Sequence, residues 1–411
     1  MAFDLRRFHP ERPPALLLGG VNLVRALGLG GVPVIVASPE RDWPAFASRF
    51  AHDSLALPPL ERRDEALAVL LGAGERLHDA LGRRVPLFYG NDDYLSLIEE
   101  HRGGLARCYA LIQNEPEVAR ALLDKERFEA FALARGLPVP RTLRWEQLDD
   151  WYAPVLVKPK VKVGYDDSAI YRRLFGGAGK ARVFASGPEL AALPLARQLR
   201  DGLLLQEYVR GGDRQLWSFH GYADESGALL ASFVGRKIRT HPPLTGESTF
   251  LELVRDDAFA FVGRRVAARV PLRGVFKIDF KQDAVSGDWR VLEINARFNL
   301  WHYLGARNGI NLPRVAYDYL VYGTRPAAPP GYRTAHRWLS LGADWRAYRA
   351  LAARGELGAW AWLRSLVATP MAYDVFSWTD PKPFLRHWLN QFRTRIPRLT
   401  RKVTQWLSTA S

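Results

Sequence analysis

The chain has 411 residues, more than one compact core usually holds, so two or three packed modules are expected. Hydrophobic residues at 48% and charged residues at 25% are ordinary globular values, which argue against a largely disordered chain. The 58 Lys and Arg residues against 43 Asp and Glu residues give a net charge of +15, which indicates an acidic partner.

The compartment is predicted from cysteine usage and from the opening of the sequence. Cys108 is the single cysteine and cannot form an internal disulfide, and residues 1–14 contain no apolar stretch of the kind a signal peptide needs. The most apolar stretch, residues 359–376, is interrupted by Arg364, Pro370 and Asp374. We therefore expect a cytoplasmic protein that does not span a membrane.

The first 122 residues follow a pattern of strand, glycine turn, helix and strand. Residues 15–18 and 33–37 are predicted strands on either side of a helix at 21–29, and a further strand at 85–89 ends in Gly90-Asn91-Asp92-Asp93. This alternation predicts a Rossmann-like α/β domain with a parallel sheet. Gly19-Gly20 lacks the full GxGxxG spacing, so dinucleotide binding is not expected there.

The pattern changes after residue 122 to that of an α+β body, which we place at residues 123–325. Helices are predicted at 125–135 and 257–268, with strands at 155–158, 203–208, 216–222, 228–234, 274–281 and 289–294. A proline-rich connector at 326–330 follows, and the basic Trp- and Arg-rich extension of residues 326–411 is predicted to be helical.

The strongest chemical signal lies in residues 274–299. Alternation places Lys277, Asp279 and Lys281 on one face of the first strand, and Glu293 and Asn295 on one face of the returning strand. Two carboxylates and an amide oxygen from adjacent strands suit one or two Mg²⁺ ions. By spacing alone, a hairpin with a solvated polar face is an equal alternative.

The neighbouring motifs give this region a resemblance to the ATP-grasp superfamily, over roughly residues 124–323. Leu123-Asp124-Lys125 followed by Gly136-Leu137-Pro138-Val139-Pro140 resembles its entry motif, and 154–159 resembles the strand with its second phosphate-binding lysine. The chain is similar in particular to a branch of predicted carboxylate–amine ligases, in which a basic run followed by Pro-Pro occurs, as in residues 236–243.

The resemblance implies ATP and Mg²⁺ as cofactors and assigns roles to individual positions. It implies that Lys125 and Lys158 contact nucleotide phosphates and that Asp213 takes the ribose hydroxyls. The implied adenine-binding hinge consists of Gln206, Glu207, Tyr208 and Val209, and the implied metal ligands are Asp279, Glu293 and Asn295. Taken singly, each lysine is more simply explained as a solvated surface residue.

Further candidates come from the residues around these motifs. The glycine-rich turn at 176–180, with Lys180, is not a P-loop and is predicted to be a lid over the phosphates. Arg297 follows the metal residues by two and is predicted to stabilise transition-state charge. Candidate substrate-binding residues are Arg236, Lys237, Arg239, Asn299 and His302. The alternatives are a solvated basic loop for the first three and a structural hydrogen bond for His302.

The extension ends in an amphipathic pattern. Phe384, Leu385, Trp388, Leu389 and Phe392 form a stripe that Ile396, Leu399, Val403 and Trp406 prolong, and the residues after 380 include seven basic residues and no acidic one. Three partners fit: an anionic membrane surface, the body of the protein, and nucleic acid. No recognisable nucleic-acid module is present, so nucleic acid is not expected, and a peripheral position at the inner face of the membrane is favoured.

The function that these features predict is an ATP-dependent ligase. A carboxylate would be activated as an acyl phosphate and then joined to an amine, both from small-molecule substrates. The alternatives are an ATP-grasp kinase or carboxylase, and a non-catalytic, membrane-associated protein that only binds nucleotide.

Overall fold

A computed structural model of the chain describes residues 4–160, 173–175 and 181–393. The predicted lid at 176–180, with Lys180, lies outside the described residues, as do Ile396, Leu399, Val403 and Trp406 of the predicted C-terminal stripe.

The elements are as follows in chain order. The strands are β1 (Ala15–Leu18), β2 (Val34–Ser38), β3 (Asp53–Ala56), β4 (Val85–Tyr89), β5 (Tyr109–Ala110), β6 (Thr142–Leu143), β7 (Val155–Pro159), β8 (Arg182–Phe184), β9 (Leu203–Glu207), β10 (Leu216–Ala223), β11 (Leu229–His241), β12 (Glu247–Val254), β13 (Gly274–Gln282), β14 (Trp289–Asn295), β15 (Arg337–Leu339) and β16 (Met371–Tyr373). The helices are α1 (Val21–Leu29), α2 (Arg63–Leu81), α3 (Asp92–Glu100), α4 (Arg102–Cys108), α5 (Pro116–Leu123), α6 (Lys125–Ala134), α7 (Gly187–Ala191), α8 (Pro194–Gln198), α9 (Asp257–Arg269), α10 (Trp301–Arg307), α11 (Leu312–Tyr322), α12 (Leu341–Ala352) and α13 (Ala359–Val367). A further C-terminal helix covers residues 382–393.

The N-terminal sheet confirms the predicted parallel α/β architecture. Its order is β3-β2-β1-β4-β5, and its strand pairs are parallel. Leu17 packs with α1 on one face and Leu16 with α2 and α3 on the other, so the sheet is buried on both sides. This double burial explains why its strands read as continuous apolar runs rather than as alternating ones.

The centre of the molecule is a seven-stranded sheet of order β14-β13-β10-β11-β12-β15-β16. Phe219, Phe276 and Phe280 on one face pack against α5, α6 and α9. On the other face, Tyr222 and Phe233 pack with α1, α10 and α11. This second face also carries the polar residues of β13 and β14, which places them near the N-terminal domain.

A separate four-stranded sheet, of order β6-β9-β7-β8, carries the predicted second lysine motif. Val155 and Val157 of β7 point into a small core with Leu203 and Leu205 of β9 and with α7 and α8. Because β7 alternates, Lys158 lies on the opposite side of the sheet from Val155 and Val157.

The residues beyond the predicted connector are packed on the body. Strands β15 and β16 extend the central sheet, with β15 antiparallel to β12. The buried carboxylate of Asp344 in α12 accepts hydrogen bonds from the Arg239 guanidinium of β11 at 2.8 Å. Within the described residues, we find no helix that is both long and apolar enough to cross a membrane.

Candidate active site

Two carboxylates and an amide meet where β13 and β14 pair. In the register of these strands, Asp279 lies opposite Glu293 and Lys277 lies opposite Asn295. The Asn295 amide donates to Glu293 Oε1 at 3.1 Å and to Asp279 Oδ2 at 3.3 Å. The structure thus brings together Asp279 from one strand with Glu293 and Asn295, which alternation had placed on one face of the other strand.

Lys277 compensates the negative charge of this cluster. Its ammonium lies 2.7 Å from Asp279 Oδ2, and both side chains are nearly buried. Desolvation raises the pKa of Asp279 despite the opposing charges of Lys277 and Lys237. Desolvation also acts on Glu293, but the charge of Lys277 and the hydrogen bond from Asn295 hold the pKa of Glu293 well below its ordinary value. The pKa values of the two carboxyls are therefore shifted in opposite directions.

The donor set is compatible with a hard divalent cation. Asp279 Oδ1 is buried and has no hydrogen-bond partner, and Glu293 is exposed, so oxygens from both strands are available. No group of three or more His, Cys, Asp or Glu side chains with metal-ligand spacing occurs in the described part of the chain. The site would therefore supply two carboxylates and one amide oxygen, which matches Mg²⁺ ions that keep part of their water shell.

Two lysines approach from other elements. The Lys158 ammonium donates to Gln206 Oε1 at 3.2 Å, and burial lowers the pKa of Lys158 while the charge of Glu293 opposes that shift. Lys125 begins α6 directly after the capping residue Asp124, and its ammonium donates to the carbonyl of Pro159 at 3.0 Å. Both lysines thus lie at the end of β7, and Lys158 is on the side that faces Glu293.

Arg297 connects this cluster to the N-terminal domain. Its Nε lies 2.5 Å from Asp92 Oδ1, and its Nη2 lies 3.4 Å from Asn295 Oδ1. Asp92 begins α3, just after the carboxyl end of β4. The site is therefore assembled from three parts of the chain: the small sheet, the central sheet and a loop of the N-terminal domain.

Comparison with solved structures identifies the fold. An L-amino acid ligase from Bacillus licheniformis superposes with a TM-score of 0.53 at 14% identity, over 76% of this chain and 74% of the other. The biotin carboxylase domain of the Hydrogenobacter thermophilus 2-oxoglutarate carboxylase, solved with ADP, magnesium and bicarbonate, superposes with a TM-score of 0.54 at 14% identity, over 79% and 73%. The chain has the ATP-grasp fold.

A comparison of sequences adds a relative. The D-aspartate ligase of Enterococcus faecium (strain Aus0004) is 21% identical over 306 residues, which cover 69% of this ATP-grasp chain and 71% of the relative. No protein-family model matches the chain.

The predicted hinge, residues 206–209, begins at the end of β9 in the small sheet. Glu207 pairs with Val155, and the Tyr208 amide donates to the carbonyl of Pro154 at 3.0 Å. The Lys281 ammonium lies 4.1 Å from the centre of the Tyr208 ring, and burial lowers the pKa of Lys281 to about 8. Gln206 and Val209 flank these residues, and the adenine-binding role of the four stays a prediction.

Asp213 is already engaged by protein groups. Its carboxylate accepts from the Thr240 amide at 2.7 Å, from the Thr240 hydroxyl at 2.9 Å and from the Leu244 amide at 2.8 Å. These bonds fix the end of β11. A ribose hydroxyl would have to share or replace these hydrogen bonds, so Thr240 and Leu244 compete with the predicted ribose contact of Asp213.

The predicted basic cluster does not act as one unit. β11 continues through His241 because it pairs with β12, so residues 236–241 lie in a strand rather than in a run from strand to loop, and the alternative of a solvated loop does not apply either. Arg236 lies against Trp217 on the sheet face opposite the carboxylates and forms an ion pair with Glu252, and Arg239 is buried against Asp344. Lys237 alone faces the site, where its charge lowers the pKa of Asp279 and Glu293.

Asn299 and His302 form a local structure at the start of α10. His302 Nδ1 accepts from the backbone amide of Asn299 at 2.9 Å, and the side-chain Oδ1 of Asn299 accepts from the backbone amide of Trp301 at 3.1 Å. Burial lowers the pKa of His302 to about 3, so its imidazole is neutral. These contacts match the structural alternative, and an acceptor-site role stays a prediction.

Two site residues were not selected from the sequence. Lys277 was placed on the correct face but given no role, and Asp92 was noted only as part of a loop at a strand end. The signal for Asp92 was its position after β4, because loops at the carboxyl ends of parallel strands usually carry ligand groups. Its partner Arg297 lies 205 residues away, and sequence spacing cannot pair them.

Proposed function

We propose that the chain is an ATP-dependent ligase that joins a carboxylate to an amine. A carboxylate oxygen of the substrate attacks the γ-phosphorus of ATP, ADP leaves, and an acyl phosphate forms. The amine then attacks the acyl carbon, inorganic phosphate leaves, and the nitrogen loses a proton. The observation that carries this proposal is the convergence of Asp279, Glu293 and Asn295 with Lys158 and Arg297 in one site.

Each residue has a role that its surroundings support. Lys125 and Lys158 would bind the phosphates from the end of β7, and the two carboxylates with Asn295 would hold Mg²⁺. Bound Mg²⁺ would neutralise the negative charge that develops on the phosphate oxygens, including the leaving oxygen. Arg297, which Asp92 orients, would stabilise the oxyanion of the acyl-transfer step. No protein nucleophile is needed, because positioning and charge neutralisation suffice.

We infer that at least one substrate is an amino acid. The relative at 21% identity is named a D-aspartate ligase, and one structural neighbour is named an L-amino acid ligase. Lys237 provides a positive charge on the site face that could hold a substrate carboxylate, whereas Arg236 and Arg239 are occupied by protein carboxylates.

ADP release from purified protein, Mg²⁺ and ATP tests this function. The protein should release ADP and phosphate when an amino acid and a second carboxylate are supplied together, and a coupled product should appear in the mass spectrum. Glu293→Gln is the control that should abolish the signal. ATP turnover without a coupled product, in the presence of every amino acid tested, would contradict the ligase assignment.

A second reaction is supported by a specific neighbour. The 2-oxoglutarate carboxylase domain was solved in complex with ADP and bicarbonate, so bicarbonate is an alternative to an organic carboxylate for this chain. ADP release that requires bicarbonate and an amine, but no organic carboxylate, would favour carboxylation over ligation.

We also propose that the reaction takes place at a membrane surface. The support is the excess of basic residues after residue 380, together with the exposed aromatic side chains of the C-terminal helix. The proposed contact is peripheral.

A further inference from the structure

The C-terminal part of the chain has an apolar surface that points to solvent. We call it the C-terminal face and define it by Trp378, Phe384, Leu385, Trp388, Leu389 and Phe392. Trp378 is 87% exposed, and the other five side chains are between 38% and 54% exposed. Phe376 contacts both Trp378 and Phe384, with ring centroids 4.8 and 5.4 Å apart, so the segment before the helix and the helix form one surface.

The helix at 382–393 turns its polar side toward the body of the protein, whereas a helix that completes a core turns its apolar side inward. Asn390 donates to the Asp42 carbonyl at 2.8 Å, and Arg393 lies 3.9 Å from the Asp42 carboxylate, so its polar side meets the N-terminal domain. A surface helix of a globular protein normally buries its apolar stripe and exposes its polar residues. Packing on the described body therefore explains the position of this helix but not its exposed aromatic side chains.

The C-terminal face is attached to a fixed point of the fold. The Asp380 carboxylate accepts from Arg25 Nε at 3.0 Å, from the Ser48 hydroxyl at 2.8 Å and from the Arg49 amide at 2.8 Å. Arg25 and Asp380 are each 1% exposed. This buried cluster fixes the start of the C-terminal helix, so the exposed side chains are presented in one orientation rather than on a loose tail.

The charge of this region selects the partner. Residues 381–411 contain Lys382, Arg386, Arg393, Arg395, Arg398, Arg401 and Lys402 and no acidic residue. Basic side chains beside exposed tryptophan, phenylalanine and leucine are the combination that inserts into the headgroup region of anionic bilayers. A nucleic acid would satisfy the charge, but it would leave Leu385 and Leu389 in water.

Helix α13 provides a second exposed stripe nearby in sequence. Trp360, Leu363 and Val367, at positions i, i+3 and i+7, are 78%, 47% and 83% exposed. On the inner side of the same helix, Trp362 is buried and donates to Asp344. Helix α13 is thus already packed on the body through Trp362, and an additional apolar stripe on its outer side is typical of an interaction surface.

We propose that the C-terminal face docks on an anionic phospholipid bilayer, with the aromatic side chains at the headgroup boundary and the basic side chains on the lipid phosphates. The contact is independent of the reaction that the active site catalyses. It positions the site near substrates at or in the membrane surface, and it rests on the membrane location proposed above.

Vesicle co-sedimentation of the full chain tests the proposal. Wild-type protein should bind vesicles of phosphatidylcholine with phosphatidylglycerol, bind phosphatidylcholine alone much more weakly, and dissociate as salt screens the surface charge. Replacing Trp388 and Phe392 together by serine should weaken binding by about tenfold or more, because two large apolar side chains no longer leave water. Binding by this variant that equals the wild type would overturn the proposal.

A matched control separates the C-terminal face from general surface hydrophobicity. Tyr152 and Phe261 are 78% and 56% exposed on other parts of the molecule, and replacing both by serine should leave vesicle binding unchanged. Melting curves should show that both double variants fold, because all four side chains are exposed. Lys382→Glu with Arg393→Glu should reduce binding to anionic vesicles and leave ATP turnover unchanged.

Three other results would overturn the proposal. One is wild-type protein that ignores anionic vesicles at low salt but binds them once the chain is shortened after Arg393, since residues 394–411 would then cover the face. Another is RNA binding that competes with vesicles and survives the serine substitutions. A third is a stable dimer in light scattering that becomes monomeric in the Trp388 and Phe392 variant.

Discussion

Replacing Lys277 by methionine tests how the carboxylate cluster is held together. The lysine is only 13% exposed at its side chain, and its ammonium contacts Asp279, whose side chain is 5% exposed, at 2.7 Å. Methionine retains most of the apolar stem and removes the charge. The variant therefore leaves Asp279 and Glu293 opposite each other without their principal cation.

The size of the effect follows from this geometry. At an effective dielectric constant of about 20, two unit charges at 2.7 Å attract by roughly 6 kcal/mol. Desolvation of both groups offsets part of that attraction, and breaking a buried pair by removing one partner typically costs about 3–5 kcal/mol. We expect a loss of that size near neutral pH.

The loss should depend on pH and on magnesium. Burial already raises the pKa of Asp279, and removal of Lys277 should raise it further. The folded state then binds more protons than the unfolded state between the ordinary pKa and the raised one, so the free energy of unfolding falls as pH rises through that interval. The deficit of the variant should therefore shrink on acidification. Mg²⁺ should stabilise the variant more than the wild type, because it can take the place of the lost ammonium.

Urea unfolding at about pH 8 and about pH 5, with and without Mg²⁺, measures these effects. Lys237→Met is the matched control, because Lys237 acts on the same two carboxyls more weakly than Lys277. Equal stability of the Lys277 variant and the wild type at the higher pH, or an equal response to Mg²⁺, would refute this account of the cluster.

Four further predictions address the other parts of the site. Glu293→Gln should abolish ATP turnover with little change in melting temperature, and normal ADP release in that variant would remove Glu293 from the proposed metal ligands. Lys158→Ala should weaken ATP binding by about 1–3 kcal/mol in calorimetry, whereas Lys160→Ala, which removes an ion pair to α6, should not. Lys281→Met should be more stable than the wild type by up to ~3 kcal/mol near neutral pH, because the cost of the buried charge is fully present below the folded pKa of about 8. This advantage should disappear as pH rises towards the unfolded pKa of 10.5. A stability difference between variant and wild type that does not vary with pH in urea unfolding would contradict this account of Lys281. Arg239→Leu should destabilise the fold by about 3–5 kcal/mol by leaving a buried carboxylate without its cation, while the KM for the carboxylate substrate stays constant; a raised KM for that substrate with normal stability would restore the substrate role of Arg239.

The local sequence pattern was sufficient to predict the elements that are buried in the same way along their whole length. The continuous apolar runs at 15–18 and 85–89 predicted β1 and β4 with their observed bounds, because strands buried on both faces need no alternation. Alternation also predicted the shared face of Asp279, Glu293 and Asn295, because side chains in a strand change sides at every residue.

The sequence by itself therefore determined the parallel α/β architecture of the first domain, since that architecture depends on periods of a few residues. The ATP-grasp fold and the role of the carboxylate cluster came from the resemblance to that superfamily, because spacing alone left a solvated hairpin as an equal alternative. Tertiary structure alone decided which charges are free to act. Arg239 reads as a ligand in sequence, but it is buried against Asp344, 105 residues away. Arg297 is oriented by Asp92 across 205 residues, and the C-terminal helix turns its aromatic side outward because its polar side meets Asp42. Ion pairs and helix orientation depend on contacts between distant segments, and the local periodicity of the sequence cannot predict such contacts.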